Sequence, residues 1–254
     1  TMQIDSIRLK NIRRFRDITI DNIPDFCVLI GANGTGKSNF FGLFNFVRDA
    51  LVCNVREAVA KRGGFKEVAS RGTEGPIEIE LKFRRLESTS SPVTYLLVID
   101  LVDNKPVVNR ELLKYRPASQ HGGGFKHFID FNLGQGVVIP DKGGKRHQKI
   151  PIDLQLESPD LLALKGVSQL QQFKVACELR SFIEHWHFSD FQLSEVRVNE
   201  KAIGYDEHLS SPGDNLALFA WTLQETQPVV YEKIVQEMAR RVPGLSNIEA
   251  VLEG

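Results

Sequence analysis

Cysteine is scarce in this chain, and its scarcity narrows the setting. Cys27, Cys53 and Cys177 are odd in number and far apart, which leaves neither a disulfide framework nor a zinc-type spacing. Their apolar surroundings predict buried, reduced thiols. No apolar run approaches the roughly 18 residues of a membrane-spanning helix, and the N-terminal residues lack a basic-then-apolar leader pattern. The expectation is a cytoplasmic protein with no membrane partner. Neither sign of charge is in excess, with 32 Lys and Arg against 32 Asp and Glu, so no global basic field announces nucleic acid and any such surface must be a local patch. There is no solenoid-type repeat and no low-complexity tail. A hydrophobic content of 42% over 254 residues suits one large domain or a core with an appended lobe.

What the chain does have is the octapeptide Gly31-Ala32-Asn33-Gly34-Thr35-Gly36-Lys37-Ser38, with Asn39 following it. An apolar run, Cys27-Val28-Leu29-Ile30, precedes it, and apolar residues at helical spacing follow it. This is the phosphate-binding loop pattern G-x-x-x-x-G-K-[ST] in its required strand-to-helix context. The glycines let successive backbone N–H groups turn inward around a phosphate, at φ values and distances that side chains forbid. Lys37 reaches the β- and γ-phosphates as a point charge, Ser38 offers a hydroxyl to Mg²⁺, and the following helix aims its positive dipole end at the anion. The candidate phosphate-binding residues are Gly31 to Asn39. The alternative, a glycine-rich turn that happens to end in Lys-Ser, is disfavoured by both flanks. Phe40, Phe41, Leu43, Phe44, Phe46, Val47 and Leu51 read as a helix face packed on a sheet, not as a base-stacking platform.

Around this motif the pattern is α/β. Two strands precede the loop, through Ile4, Ile7 and Leu9 and through Ile18 and Ile20. Alternating residues then predict strands over 76–85, 93–102 and 107–115, an antiparallel lobe over about 76–150. Glycines between 116 and 149 read as loop tips, and the Lys and Arg among them as either solvated loop or a nucleic-acid or partner surface. A helical part follows over about 159–242. Ser168 is the expected N-cap of a helix to Trp186, with Leu170, Phe173, Val175, Cys177, Leu179 and Phe182 as its buried stripe, and two more helices are expected at about 213–224 and 229–241.

Hydrolysis would also need a carboxylate pair after an apolar strand. Tyr95-Leu96-Leu97-Val98-Ile99-Asp100 imitates this, but Leu101 occupies the second acidic position, and the segment reads as a plain strand. Leu209-Ser210-Ser211-Pro212-Gly213 imitates a signature motif that Pro212 spoils, leaving a turn and a helix start. Gln192, with Asp190, is a candidate for sensing Mg²⁺ and the attacking water, or else part of a solvated loop. His185 and His187 share a strand face but are too few to hold a metal. Arg13, Arg14 and Arg16 flank the first hairpin, where a nucleotide-facing arginine is plausible.

The segment I-D-S-I-R-L-K-N-I-R-R-F-R-D, the loop G-A-N-G-T-G-K-S-N, and G-D-N-L-A from Gly213 to Ala217 followed by W-T-L together resemble the RecF/SMC-like branch of ABC-type ATPases, more narrowly the bacterial AAA-type ATP-binding group. The resemblance implies a P-loop NTPase core spanning 1–254 as one head with a β lobe and a helical segment, ATP and Mg²⁺ as cofactors, and Lys37 and Gln192 as catalytic residues. It also implies a head-to-head homodimer around two ATP molecules, and roles in DNA repair, chromosome maintenance or antiphage defence, with DNA and an associated nuclease as partners. In the family, the signature and Walker B motifs follow the G-x-N-L-A helices, and this sequence stops at Gly254. The expectation is therefore an incomplete head that binds nucleotide and hydrolyses it poorly, or a nucleotide-gated dimerisation or interaction module without turnover.

Overall fold

The structure, a computed structural model, describes residues 2–24, 36–85, 92–115, 126–141, 150–186, 209, 214–242 and 244–251. The chain divides into two compact units, Thr1–Trp186 and His187–Gly254.

The first unit is built on an eight-stranded sheet in which every described pairing is antiparallel. Its strands are β1 (Met2–Ile12), β2 (Phe15–Asp21), β3 (Ile77–Arg85), β4 (Val93–Val102), β5 (Lys105–Tyr115), β6 (Lys126–Asn132), β7 (Gln135–Val138) and β8 (Ile152–Gln155). They lie in the order β2-β1-β3-β4-β5-β6-β7-β8. The expected lobe is thus not a separate sheet. Strand β1 pairs with β2 on one side and β3 on the other, so the hairpin before the phosphate loop and the later meander share one ladder.

Alternation explains why this ladder has a dry face. Along β3, Ile77, Ile79, Leu81 and Phe83 are buried while Glu78, Glu80 and Lys82 are only half-buried on the opposite face. Their partners across the ladder are Ile99, Leu97, Tyr95 and Val93, all buried. A one-residue slip would move this whole set into water, so the pattern fixes the register. The β4–β5 hairpin turns on Asp103 and Asn104, both at positive φ, as a two-residue turn matched to strand twist requires. Gly136 stands within β7, not at a loop tip. A Cβ there would lie 2.1 Å from the Asp130 carbonyl oxygen of the neighbouring strand. The glycine-rich stretches around 121–124 and 142–147 lie outside the described residues.

Helices α1 (Lys37–Val52), α2 (Val55–Ala60), α3 (Phe65–Val68), α4 (Ala163–Val167) and α5 (Lys174–Glu184) complete the first unit. Helix α2 packs on β5, α4 on β6 and α5 on β1, and α1 lies against α2, α4 and α5. In α1 the positions Leu43, Phe44, Phe46, Val47, Ala50 and Leu51 are buried, the stripe expected of an amphipathic helix. Asn54 is the N-cap of α2: its side chain accepts from the Glu57 N–H at 2.8 Å and donates to the Glu57 carboxylate at 3.2 Å.

The helix expected from Ser168 is shorter and starts later. Ser168 closes α4, donating its N–H to the Leu164 carbonyl, and α5 begins only at Lys174. Asp141 accepts from the Val175 N–H at 2.8 Å and so serves the start of α5 from a distant loop, a cap that local sequence does not reveal. The buried face is Val175, Ala176, Leu179 and Ile183, whereas Leu170 is exposed. Cys53 and Cys177 are free thiols as expected, but half-buried. Burial pushes the Cys177 thiol up.

The second unit contains α6 (Leu216–Thr226) and α7 (Pro228–Arg241), the two helices expected there, with Pro228 at the first position of α7. No helix among the described residues is long and apolar enough to cross a membrane.

Candidate functional site

The site is organised by the start of α1. Gly36 is its N-cap, at φ 107°, a left-handed conformation that a residue without Cβ takes without strain. Gly36 has no side chain to cap this helix, and its first turn holds no acidic residue. Helix N-termini favour negative charge, and most borrow it from Asp, Ser or Thr caps. Here the local sequence supplies Lys37, Ser38 and Asn39 instead, so the end of α1 suits an external anion. Ser38 is exposed, and Lys37 and Asn39 are half-buried. Gly31, Ala32, Asn33, Gly34 and Thr35 lie outside the described residues, as do Gln192 and Asp190.

The far end of α1 is fixed to the sheet. Lys165 of α4 donates to the Val52 and Cys53 carbonyls at 2.6 and 3.0 Å, placing a cation at the negative end of the helix. The start of α4 is held in turn by Glu111 of β5, whose carboxylate accepts from the Ala163 and Leu164 N–H groups at 2.5 and 2.9 Å and from the Tyr95 hydroxyl at 2.9 Å. Glu111 is fully buried. Desolvation pushes its carboxyl up to about 7, against the opposing pull of those donors, and burial likewise raises the Tyr95 phenol well above its ordinary value.

Beside the first turn of α1 opens a cleft of about 460 Å³. One wall is the β1–β2 turn, contributing Arg13, Arg14 and Arg16. The other is the segment of α3 and its C-terminal extension, contributing Lys66, Glu67, Ala69, Ser70 and Arg71, and Asn39 lines the cleft from α1. Five cations thus face one carboxylate, Glu67, which Arg71 approaches to 3.8 Å. Arg14 reaches the start of α1, its Cδ lying 3.8 Å from where a Cβ of Gly36 would stand. A smaller recess between Ile12, Arg13, Phe15 and Ser38 joins the turn to the same helix end.

The structure therefore brings together Lys37, Ser38, Asn39 and the arginines of the first hairpin. It adds Lys66 of α3 and Arg71 just after it, which no motif flagged, since basic residues in a one-turn helix and its flank carry no periodic signal. Asp100 sits near the end of β4 and accepts from its own neighbour, the Leu101 N–H, at 2.8 Å, in keeping with the plain-strand reading. His185 ends α5, its Nδ1 2.7 Å from the Ser181 carbonyl oxygen. Among the described residues there is no group of three or more His, Cys, Asp or Glu able to hold a metal ion.

The chain is distantly similar to the DNA replication and repair protein RecF of Lactococcus lactis subsp. cremoris, strains SK11 and MG1363, at 23% identity in each case over 146 residues. That match covers 53% of this chain and 39% of those relatives, so the shared segment spans well under half their length. The profile of the AAA ATPase domain matches residues 2–203, which takes in both walls of the cleft and the whole phosphate loop. The chain belongs to the AAA ATPase domain family, whose members bind nucleotide.

Proposed function

We propose that this chain is the nucleotide-binding part of a RecF/SMC-like ATPase head, spanning the chain as one P-loop domain of that type. The observation that carries the proposal is the end of α1, left-handed at a glycine N-cap and with no acidic residue in its first turn, opening beside a cleft lined by five cations. In this reading the triphosphate of ATP lies at the N-terminus of α1 within Gly31 to Asn39. Lys37 neutralises the β- and γ-phosphates and the arginine cleft takes the nucleoside end, where guanidinium planes stack on a base and pair with ribose oxygens. Mg²⁺ fits the site only together with the nucleotide: Ser38 offers one hydroxyl ligand, and phosphate oxygens and water supply the rest, as is usual for this ion. Gln192 is the proposed sensor of the attacking water.

The name of the RecF relatives supports a setting in DNA replication and repair. DNA and a nuclease as partner classes, and a head-to-head homodimer around two ATP molecules as the working form, belong to the same proposal. A second reading, a nucleotide-gated dimerisation module without turnover, is favoured by one specific observation. The described lining of the cleft holds a single carboxylate, Glu67, with Arg71 3.8 Å away, and so no carboxylate pair of the kind that holds Mg²⁺ and orients an attacking water. Steady-state phosphate release from the protein with ATP and Mg²⁺ separates the two. Sustained release that Lys37→Ala abolishes is the result expected of the ATPase, whereas ATP binding without release would leave the switch.

A further inference from the structure

Asn11 is the penultimate residue of β1, buried to 5% exposure, and it adopts φ 54°. Arg13, two residues on, is also left-handed at φ 52°. Residues other than glycine rarely adopt this conformation, and asparagine tolerates it best because its side chain bonds locally. Here the side chain bonds to a distant segment instead. Its amide donates to the Gly75 carbonyl at 2.7 Å and to the Pro76 carbonyl at 3.3 Å. Its oxygen accepts from the Ser70 N–H at 3.3 Å and from the Thr73 hydroxyl.

Backbone contacts extend the same seam. The Arg13 N–H donates to the Val68 carbonyl at 2.8 Å, Ile12 bridges Ala69, and the Ser70 hydroxyl donates to the Phe15 carbonyl at 3.1 Å. The two segments joined in this way are the two walls of the cleft. Both are cationic, and like charges held this close repel one another unless a ligand or a fixed framework offsets it. A neutral, buried, fully hydrogen-bonded side chain between the walls is such a framework.

We propose that Asn11 is the positioning residue of the nucleotide site, holding the β1–β2 turn and the 66–71 wall together so that ATP does not have to assemble them on binding. The proposal rests on the nucleotide reading of the cleft. Asn11 lines neither the cleft nor the recess. It acts through Arg13, Arg14 and Arg71, and preorganisation of this kind is read in affinity.

The test is calorimetric titration of the full chain with ATP and, separately, with inorganic tripolyphosphate, which engages the end of α1 but has no nucleoside. Asn11→Gly keeps the left-handed backbone and removes the side-chain bonds. The expected result is a loss of about tenfold or more in ATP affinity, the scale of one or two lost hydrogen bonds, with tripolyphosphate affinity held within about threefold. Thr73→Val, which removes one partner from the far side of the seam and keeps its shape, should move ATP in the same direction by a smaller factor, and it tests the proposal if Asn11→Gly does not fold. Asn11→Asp keeps the acceptor for Ser70 and Thr73 but sets a second acceptor against the Gly75 and Pro76 carbonyls, and should not recover the loss. Unchanged ATP affinity in Asn11→Gly and Thr73→Val overturns the role of Asn11 and leaves the nucleotide reading standing, as does an equal loss for both ligands. A wild-type chain that binds neither ligand overturns the nucleotide reading itself.

Discussion

Glu111 shows how much one residue carries in this fold. Its carboxyl lies in a fully buried position and accepts three hydrogen bonds, yet desolvation outweighs them and raises it from 4.5 to about 7. Between those values the folded chain keeps a proton that the unfolded chain has lost. The resulting stabilisation is complete below the unfolded value and is lost as pH rises through about 7, a change of about 3 kcal/mol. Thermal unfolding of the wild type should therefore weaken between about pH 5 and about pH 7.5 by more than that of Glu111→Gln, which has nothing to titrate there. Parallel profiles for the two proteins would remove Glu111 as the source. Nothing in the local sequence marks this residue, because a glutamate in an alternating strand reads as solvated until the register brings Tyr95 and α4 over it. Asn11 was hidden for the same reason. Its partners lie some sixty residues away, and no spacing rule reports a contact of that separation. Lys37 and Ser38 were legible because the chemistry of a phosphate loop is written in consecutive residues.

At the level of elements, the strands were easier to read than the helices. Along β3 and β4, period-two alternation placed Ile77, Ile79, Leu81 and Phe83 opposite Ile99, Leu97, Tyr95 and Val93 on one dry face, with no competing signal. Phe83, fully buried and edge-on to Phe182 of α5 at 5.6 Å between ring centroids, ties that face to the helical layer. Phe83→Ala should destabilise the chain by about 3–5 kcal/mol in denaturant unfolding, through lost burial and the cavity left behind. A cost below about 1 kcal/mol would mean that this strand does not face the core. Helix α2 offers a milder check. Asn54→Ala removes a capping side chain and should cost about 1 kcal/mol, whereas no change would dismiss the N-cap. The helix expected from Ser168 failed for an identifiable reason. Leu170 and Phe173 match a helical spacing by chance, while the residue that decides where α5 starts, Asp141, belongs to another part of the chain and also accepts from the Tyr115 hydroxyl.

Across the whole molecule, one continuous antiparallel sheet carries the β1–β2 turn to the start of α1, and one helical layer fixes the other end of α1 through Lys165, α4 and Glu111. Helix α1 is thus anchored at its C-terminal end, and its N-terminal end lies beside the cationic cleft. The proposed head-to-head dimer predicts that ATP with Mg²⁺ raises the sedimentation coefficient of the chain and that ATP has no such effect on Lys37→Ala, while a monomer at all nucleotide concentrations would leave a single head as the working form. The central claim is narrower than any assembly: the end of α1 and its cleft bind ATP. Calorimetric titration of the wild type and Lys37→Ala tests it most directly. Loss of the charge-assisted phosphate contact should weaken ATP binding by about 1.5–3 kcal/mol, roughly ten- to a hundredfold, whereas equal affinity in the two proteins, or no binding by the wild type, would contradict the account.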